Sequence, residues 1–176
     1  SDREYYEHLS GLAEHTIAEI CLGPGDPRIP AFIRERIDRY RSTVADGSTV
    51  TEAMRDAVRF AAEHARLGIV SGAAREEIVP VVAAAGLGDL FAAVVADDDV
   101  TLGKPDPESY LRALEALGTA GSETLVFEDT EAGVASAKAA GARVVALLGT
   151  QAPERLEQAD EVVETIDVPL LRRLLG

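Results

Sequence analysis

The sequence predicts an α/β protein in which a doubly wound parallel sheet carries a small helical lobe. Short apolar runs without polar alternation, which are typical of strands covered on both faces, recur from residue 67 onward. Helical patterns that end at Gly86, Gly118 and Gly141 separate these runs, and repeated β-α-β units imply right-handed crossovers. Tryptophan is absent and aromatic residues make up only 5% of the chain, so Ala, Val, Leu and Ile must form the core.

The periodicity before residue 68 is helical, and a capping box formed by Ser1 and Glu4 predicts the first helix start. The predicted strands cover residues 67–70, 92–96, 124–127, 143–147 and 161–163, and the later predicted helices cover 73–85, 107–117, 131–140 and 169–175. We therefore predict two units, a helical lobe at residues 1–50 and an α/β domain at residues 51–176.

The net charge of the chain limits the classes of molecule that we expect it to bind. The 176-residue chain carries 17 basic and 31 acidic side chains, a formal net charge of −14. This excess repels nucleic-acid backbones and anionic lipid, so we expect neither as a partner, whereas a pocket can still bind a small phosphorylated metabolite. No apolar run reaches membrane-spanning length. The single cysteine, Cys21, cannot form an internal disulfide, which favours a reducing, cytoplasmic location.

The segments that follow the strands are the candidate site, because such folds bind ligands beyond the carboxyl ends of their strands. Ser71, Gly72 and Ala73 follow the first strand. A hydroxyl, a flexible glycine and a helix N-terminus together predict an anion site. The alternative, that Ser71 only caps the following helix, is equally consistent with the sequence.

The second strand leads through an acidic turn at residues 97–99, for which a solvated turn is the simplest interpretation, to Lys104. Pro105 restricts the backbone that directs the Lys104 ammonium group. Asp106 as N-cap and Pro107 as the first helical residue predict a sharp helix start. A lysine directed in this way predicts neutralisation of a phosphate or carboxylate, rather than an ordinary surface lysine.

Glu128 and Asp129 follow the third strand. Mg²⁺ takes carboxylate oxygens and completes its shell with water and substrate phosphate. Adjacent strand residues point to opposite faces, so both acids can bind one ion only if the chain turns at Glu128. The alternative is that the dipole of the next helix favours these acids. Metal binding is the stronger prediction for Asp129.

Three segments of the sequence resemble the motifs of a known enzyme family. "IVSGA" at 69–73, "GKPDPESY" at 103–110 and "VFEDTEAGVASAKAAG" at 126–141 resemble motifs two, three and four of the haloacid dehalogenase-like hydrolases. Within that superfamily the chain resembles the β-phosphoglucomutase-like and phosphoglycolate-phosphatase-like enzymes that have a small helical cap. The lobe at 1–50 would then be part of the cap, and 51–176 the core.

The resemblance implies Mg²⁺-dependent phosphoryl transfer through an aspartyl-phosphate. Ser71 would hydrogen-bond the transferring phosphoryl group. Lys104 would neutralise charge on that group and on the nucleophile, and Asp129 with Glu128 would hold Mg²⁺.

The first motif of the family, D-x-D-G-[TV], does not occur in the sequence. In the family its first Asp is the nucleophile and its second Asp the general acid/base. The central strand would be missing with it, which would leave an apolar slot between the strands that end at Ser71 and Glu128. We expect that the sequence starts inside the cap of a longer protein and that the chain alone is inactive.

Three functions are compatible with the sequence. The first is a phosphatase that acts on a small phosphorylated sugar or organic acid, and the second is a hexose phosphomutase. Mutases of the family carry a basic residue in a cap loop that here reads Gly-Leu-Ala-Glu-His at residues 11–15, which disfavours the second function. The third is a noncatalytic remnant that serves as a binding module. A D-x-D-G motif upstream of Ser1 would separate the third function from the first two. The sequence predicts no oligomeric state.

Overall fold

The computed structural model describes residues 14–176, so the capping box at Ser1 and Glu4 and loop residues 11–13 lie outside the described residues. The helices of the described range are α1 (Glu14–Leu22), α2 (Ile29–Val44), α3 (Glu52–His64), α4 (Arg75–Ala84), α5 (Glu108–Leu117), α6 (Glu131–Ala139) and α7 (Val168–Leu175). The strands are β1 (Leu67–Val70), β2 (Phe91–Val95), β3 (Leu125–Glu128), β4 (Arg143–Leu147) and β5 (Glu161–Val163).

All strand pairings of the described range are parallel, and they form two sheets. One sheet pairs β1 with β2, and the other has the order β3-β4-β5. Val70 lies opposite Val95 at the end of the first sheet, and Glu128 lies opposite Ala146 in the second. The predicted fold class, an α/β protein with parallel strands and helical crossovers, is confirmed.

A cavity of about 590 Å³ lies between the two sheets. Residues of β1 and β3 line it together with residues of α3, α5 and α7. Within residues 14–176, β1 pairs only with β2 and β3 pairs only with β4. One edge of each strand is therefore without a neighbouring strand, and the cavity lies where the sequence predicts a slot.

The helices pack on the sheets as the apolar pattern indicates. Helix α5 packs on β1 and β2, and α6 packs on β3 and β4. The buried cluster around α6 consists of Tyr110, Val126, Val134, Ala137, Ala142, Val144, Ala146 and Leu156. Gly86, Gly118 and Gly141 follow α4, α5 and α6 with positive φ angles, the backbone conformation that favours glycine at these helix ends.

Helix α2 packs against both α1 and α4, and Arg41 of α2 lies 3.9 Å from Glu76 of α4. The division of the chain into units at 1–50 and 51–176 stays a prediction.

In the described part of the chain, no helix combines the length and the apolar character that crossing a membrane requires.

Two boundaries near the candidate site differ from the sequence prediction by one residue. Strand β3 continues through Glu128, because that residue still pairs with Ala146 of β4. The turn therefore follows Glu128 rather than including it. Helix α5 begins at Glu108, whose N–H donates to the Asp106 carboxylate at 2.9 Å. The predicted N-cap at Asp106 is therefore wrong: Pro107 is the N-cap residue, and Asp106, one position before it, accepts from the first helical N–H instead.

Candidate active site

The segments that follow β1, β2 and β3 line one cavity of about 1120 Å³. All six residues singled out from the sequence lie in its wall: Ser71, Gly72, Ala73, Lys104, Glu128 and Asp129. Ile17 of α1 and Phe32, Arg36 and Arg39 of α2 also line it. The fold therefore brings the three candidate segments to one place and adds apolar and basic side chains from the first two helices.

The loop after β1 is organised by Ser71, whose Oγ accepts a hydrogen bond from the Ala73 N–H at 3.1 Å. Helix α4 begins only at Arg75, and its N-cap residue is Ala74. The Ala74 N–H donates to the Glu77 carboxylate at 2.9 Å. Ser71 is therefore not the N-cap of α4, and it lies in the cavity wall instead.

The acidic turn after β2 is bound to the start of α4. The Arg75 backbone N–H donates to Asp98 at 2.8 Å, and the Arg75 guanidinium donates to Asp99 at 2.5 Å. Asp99 also accepts from the Ala96 N–H, and this bond together with Arg75 lowers the pKa of the Asp99 carboxyl. The turn is thus a structural connection between the first two loops, and not only a solvated surface.

The loop that carries Lys104 is held at both ends. The Glu108 carboxylate accepts from the Leu102 N–H at 2.8 Å, and the Ser136 hydroxyl of α6 donates to the Asp106 carbonyl at 2.7 Å. Ser136 is fully buried, so this bond anchors the loop to the core. These bonds therefore fix the backbone on either side of Lys104 without any contribution from its side chain.

The Lys104 side chain reaches from the end of β1 to the end of β3. Its Nζ donates to the Val70 carbonyl at 3.4 Å and forms an ion pair with Glu128 Oε1. The Lys104 side chain is 13% exposed and that of Glu128 is 5% exposed. Because a charge removed from water is costly without a partner, this pair is the main electrostatic feature of the site.

Glu128 has further partners around it. The Tyr110 hydroxyl donates to Glu128 Oε1 at 2.5 Å, and burial together with the Glu128 charge raises the pKa of Tyr110. The hydroxyl therefore stays a proton donor. Gly133 of α6 lies directly beside Glu128, since a Cβ at Gly133 would lie 2.0 Å from Glu128 Oε2. The glycine of the EDTEAG segment thus makes room for the carboxylate.

Asp129 is the first residue beyond β3, and its Oδ2 accepts from the Thr150 hydroxyl at 2.6 Å. Among the described residues, no three His, Cys, Asp or Glu side chains are grouped closely enough to hold a metal ion. Mg²⁺ commonly binds through one or two carboxylates and completes its shell with water and phosphate. Asp129, with Glu128 beside it, fits that donor chemistry as a partial site.

Sequence reasoning missed the roles of Tyr110 and Thr150. Tyr110 stands in the GKPDPESY segment, but no pattern in the sequence indicates that its hydroxyl meets Glu128. The position of Thr150 could have indicated its role, because it follows the end of β4. The carboxyl ends of neighbouring parallel strands meet at one edge of a sheet, where ligands bind.

Known proteins resemble this chain along most of its length. The family model described as haloacid dehalogenase-like hydrolase matches residues 5–141. Protein CbbY of Rhodobacter capsulatus is 37% identical over 139 residues, which cover 76% of this chain and 61% of that protein. Validoxylamine A 7'-phosphate phosphatase of Streptomyces hygroscopicus subsp. limoneus is 30% identical over 164 residues, 91% of this chain and 70% of that protein. The chain thus spans less than two thirds of the CbbY relative.

Solved structures share the fold. CbbY from Rhodobacter sphaeroides in complex with phosphate superposes with a TM-score of 0.82 at 21% identity, covering 94% of this chain and 79% of that one. A β-phosphoglucomutase from Clostridium difficile gives a TM-score of 0.82 at 16% identity, covering 99% and 82%. The family match over residues 5–141 and the shared fold lead to one conclusion. The chain belongs to the haloacid dehalogenase-like hydrolases.

Proposed function

We propose that the protein is a Mg²⁺-dependent phosphatase that acts on a small phosphorylated sugar or organic acid. The observation that carries the proposal is the grouping of the Ser71 loop, Lys104 and Asp129 around one cavity at the strand ends. An anion-binding loop, a fixed ammonium group and a carboxylate that can hold a hard cation are the parts that phosphoryl transfer requires.

The phosphoryl group would bind between the loop at 71–73 and Lys104. The loop offers the Ser71 hydroxyl and the Gly72 N–H, because the Ser71 and Ala73 N–H groups already donate to the Val95 carbonyl and to Ser71 Oγ. Lys104 offers positive charge. Charge increases on the phosphoryl oxygens as the bond to the leaving group breaks, so a cation fixed in advance stabilises the transition state more than the ground state. The supports of the Lys104 loop, Glu108 and Ser136, favour this pre-organised role.

The metal would be held chiefly by Asp129, with Glu128 beside it. When bound, Mg²⁺ supplies positive charge that polarises the phosphoryl group. Glu128 also has a second role, because its Oε1 accepts from Lys104 and Tyr110. The remaining ligands would be substrate phosphate, water and a carboxylate of the expected first motif.

The nucleophile would be an aspartate that the sequence does not contain. In this proposal its carboxylate attacks phosphorus and the bond between phosphorus and the leaving oxygen breaks. That oxygen would take a proton from the second aspartate of the expected first motif, acting as general acid. Water then cleaves the aspartyl-phosphate and releases inorganic phosphate. The slot between β1 and β3 supports this part of the proposal, since a strand placed there would end beside Ser71 and Lys104.

The cavity is large enough for a small metabolite, and Arg36 and Arg39 of α2 lie in its wall, where Arg39 forms an exposed ion pair with Glu35. The validoxylamine relative is a phosphatase of a 7'-phosphate, and we extend that substrate class, a phosphorylated small molecule, to this protein. We also propose a cytoplasmic location, because Cys21 is the single cysteine and is exposed.

The test compares the chain with the protein translated from the same coding DNA including every upstream codon, which we call the extended protein. Both are assayed for phosphate release from a panel of sugar phosphates and phosphorylated organic acids with Mg²⁺. We expect release by the extended protein, none by the chain, and loss of release in Lys104→Ala. Lys138→Ala, which removes a half-exposed lysine paired with Asp160, is the matched control.

Three outcomes would contradict the proposal. One is an extended protein without D-x-D-G and without phosphate release, which would favour a noncatalytic module. Another is release by the chain alone that Lys104→Ala abolishes, because the nucleophile would then lie within residues 1–176. Transfer of phosphate between hexose positions without release would identify a mutase instead.

A further inference from the structure

Tyr110 contacts both members of the buried ion pair at the candidate site. Its hydroxyl donates to Glu128 Oε1 at 2.5 Å, and its ring centroid lies 5.3 Å from the Lys104 Nζ. Glu128 Oε1 also accepts from Lys104, so one oxygen receives both donors. The Tyr110 side chain is buried, which leaves little freedom for the hydroxyl to find another acceptor.

We propose that Tyr110 is a positioning residue that keeps Glu128, and through it the Lys104 ammonium group, in the orientation the reaction needs. The inference rests on the proposed function for its kinetic consequence, but the geometry stands without it. Lysine has a long side chain with many rotamers, so its direction must be set by neighbours. The Tyr110 hydroxyl fixes the acceptor, and the ring offers the ammonium group a face within cation–π distance.

Apart from Lys104 and Tyr110, the hydrogen-bond partners of Glu128 lie at longer distances. Its Oε2 accepts from the Asp129 N–H at 3.3 Å and from the Thr130 hydroxyl at 3.5 Å. On that side Gly133 leaves room for the carboxylate, because Glu128 fills the space where a Cβ would be. The Tyr110 hydroxyl is therefore the short neutral contact that holds Oε1 toward Lys104, and its loss would let the carboxylate turn.

The same helix provides a matched control. Ser109, the neighbour of Tyr110 on α5, is also buried, and within residues 14–176 its Oγ has no hydrogen-bond partner. Tyr110→Phe and Ser109→Ala each remove one buried hydroxyl and keep the rest of the side chain. Only the first removes a contact with the ion pair.

The kinetic experiment uses the extended protein. We expect Tyr110→Phe to lower kcat about 10- to 100-fold, the loss typical when a group that orients a ligand or charged side chain is removed. The substrate KM should change less than kcat, and Ser109→Ala should leave both unchanged. In a Glu128→Ala background, which removes the acceptor of the Tyr110 hydroxyl, the added effect of Tyr110→Phe should shrink to less than about twofold, since residues that act through one another are not additive. An undiminished effect in that background, or a kcat within about twofold of wild type for Tyr110→Phe, would overturn the proposal.

A second readout needs no activity. Lys104 and Lys138 are the only lysines of the sequence, so reductive methylation followed by mass spectrometry reports each separately. In the 176-residue chain, Tyr110→Phe should raise the labelling rate of Lys104 several-fold relative to Lys138, and Ser109→Ala should not. An unchanged ratio would refute the positioning role. If the extended protein proves inactive while the ratio rises, the proposed function fails and the inference about Tyr110 stands.

Discussion

Two adjacent carboxylates in the cavity have different partners. Glu128 is nearly enclosed and accepts from Lys104 and Tyr110 on one oxygen. Asp129 lies beyond the strand and accepts from the Thr150 hydroxyl. Glu128 is therefore the ion-pair partner of Lys104, whereas in the proposed function Asp129 would hold the metal ion.

This difference predicts how the two acids respond to substitution in the extended protein. Glu128→Gln keeps an oxygen that can accept from Tyr110, so we expect a loss of about 10- to 100-fold in kcat. Asp129→Asn removes a charge and a hard oxygen from a shell that tolerates little distortion, so its loss should be larger and should partly recover at high Mg²⁺.

Titration of activity against Mg²⁺ for both variants and wild type checks this prediction. The Mg²⁺ concentration at half-maximal activity should rise for Asp129→Asn and stay close to wild type for Glu128→Gln. Equal losses in the two variants, or a wild-type Mg²⁺ dependence in Asp129→Asn, would show that the assignment of roles is incorrect.

At the scale of elements, Arg55 connects three segments near the start of α3. Its guanidinium donates to the Gly47 and Ala85 carbonyls, each at 2.6 Å, and to the Val50 carbonyl at 3.1 Å. Gly47 lies in the connection after α2, Ala85 directly follows α4, and Val50 lies two residues before α3. The planar guanidinium spreads its donors over three nitrogens, and each nitrogen serves one of these carbonyls, whereas the three donors of an ammonium group all lie on one nitrogen.

We therefore expect Arg55→Lys to destabilise the chain although it conserves charge. Carbonyls left without a donor in a half-buried site should lower the free energy of unfolding by about 1–3 kcal/mol. Urea denaturation followed by circular dichroism measures the change. Arg59→Lys is the control, because Arg59 is an exposed member of surface ion pairs and should shift stability by less than about 0.5 kcal/mol. Equal shifts in the two variants would contradict the bridging role of Arg55.

At the scale of the whole molecule, the parallel sheet is divided. Val144 and Val145 of β4 are fully buried between β3 and β5, whereas β1 and β3 each present one edge to the slot. Parallel sheets are ordinarily covered on both faces and continuous, because unpaired backbone groups in an apolar cavity cost free energy.

This arrangement predicts a distinct hydrogen-exchange pattern. In the 176-residue chain, amides of β4 should be the slowest to exchange, and those amides of β1 and β3 that point into the slot should exchange much faster. In the extended protein the slot amides should become protected, because a strand would pair with them. Amide exchange read by NMR tests both statements. Strong protection of the slot amides in the chain alone would mean that their edges are already paired.

The sequence by itself determined the fold class, the order of strands and helices, and the three segments that meet at the cavity. These features depend on local patterns, such as apolar runs covered on both faces, helix-ending glycines and side chains placed just after a strand. Their positions along the chain were correct to within one or two residues for most elements, as the ends of β3 and α5 illustrate.

Only the tertiary structure decided which partner each functional side chain has. Tyr110 meets Glu128 across 18 residues, Thr150 meets Asp129 across 21, and Arg55 meets Ala85 across 30. Such contacts depend on how α5, β4 and α4 are packed, and no local pattern encodes them. Burial also changes what a residue type can do, since the same tyrosine on a surface would hydrogen-bond to water. A sequence can therefore place the charged groups of this site at the strand ends, whereas the packing determines which of them pairs with Lys104.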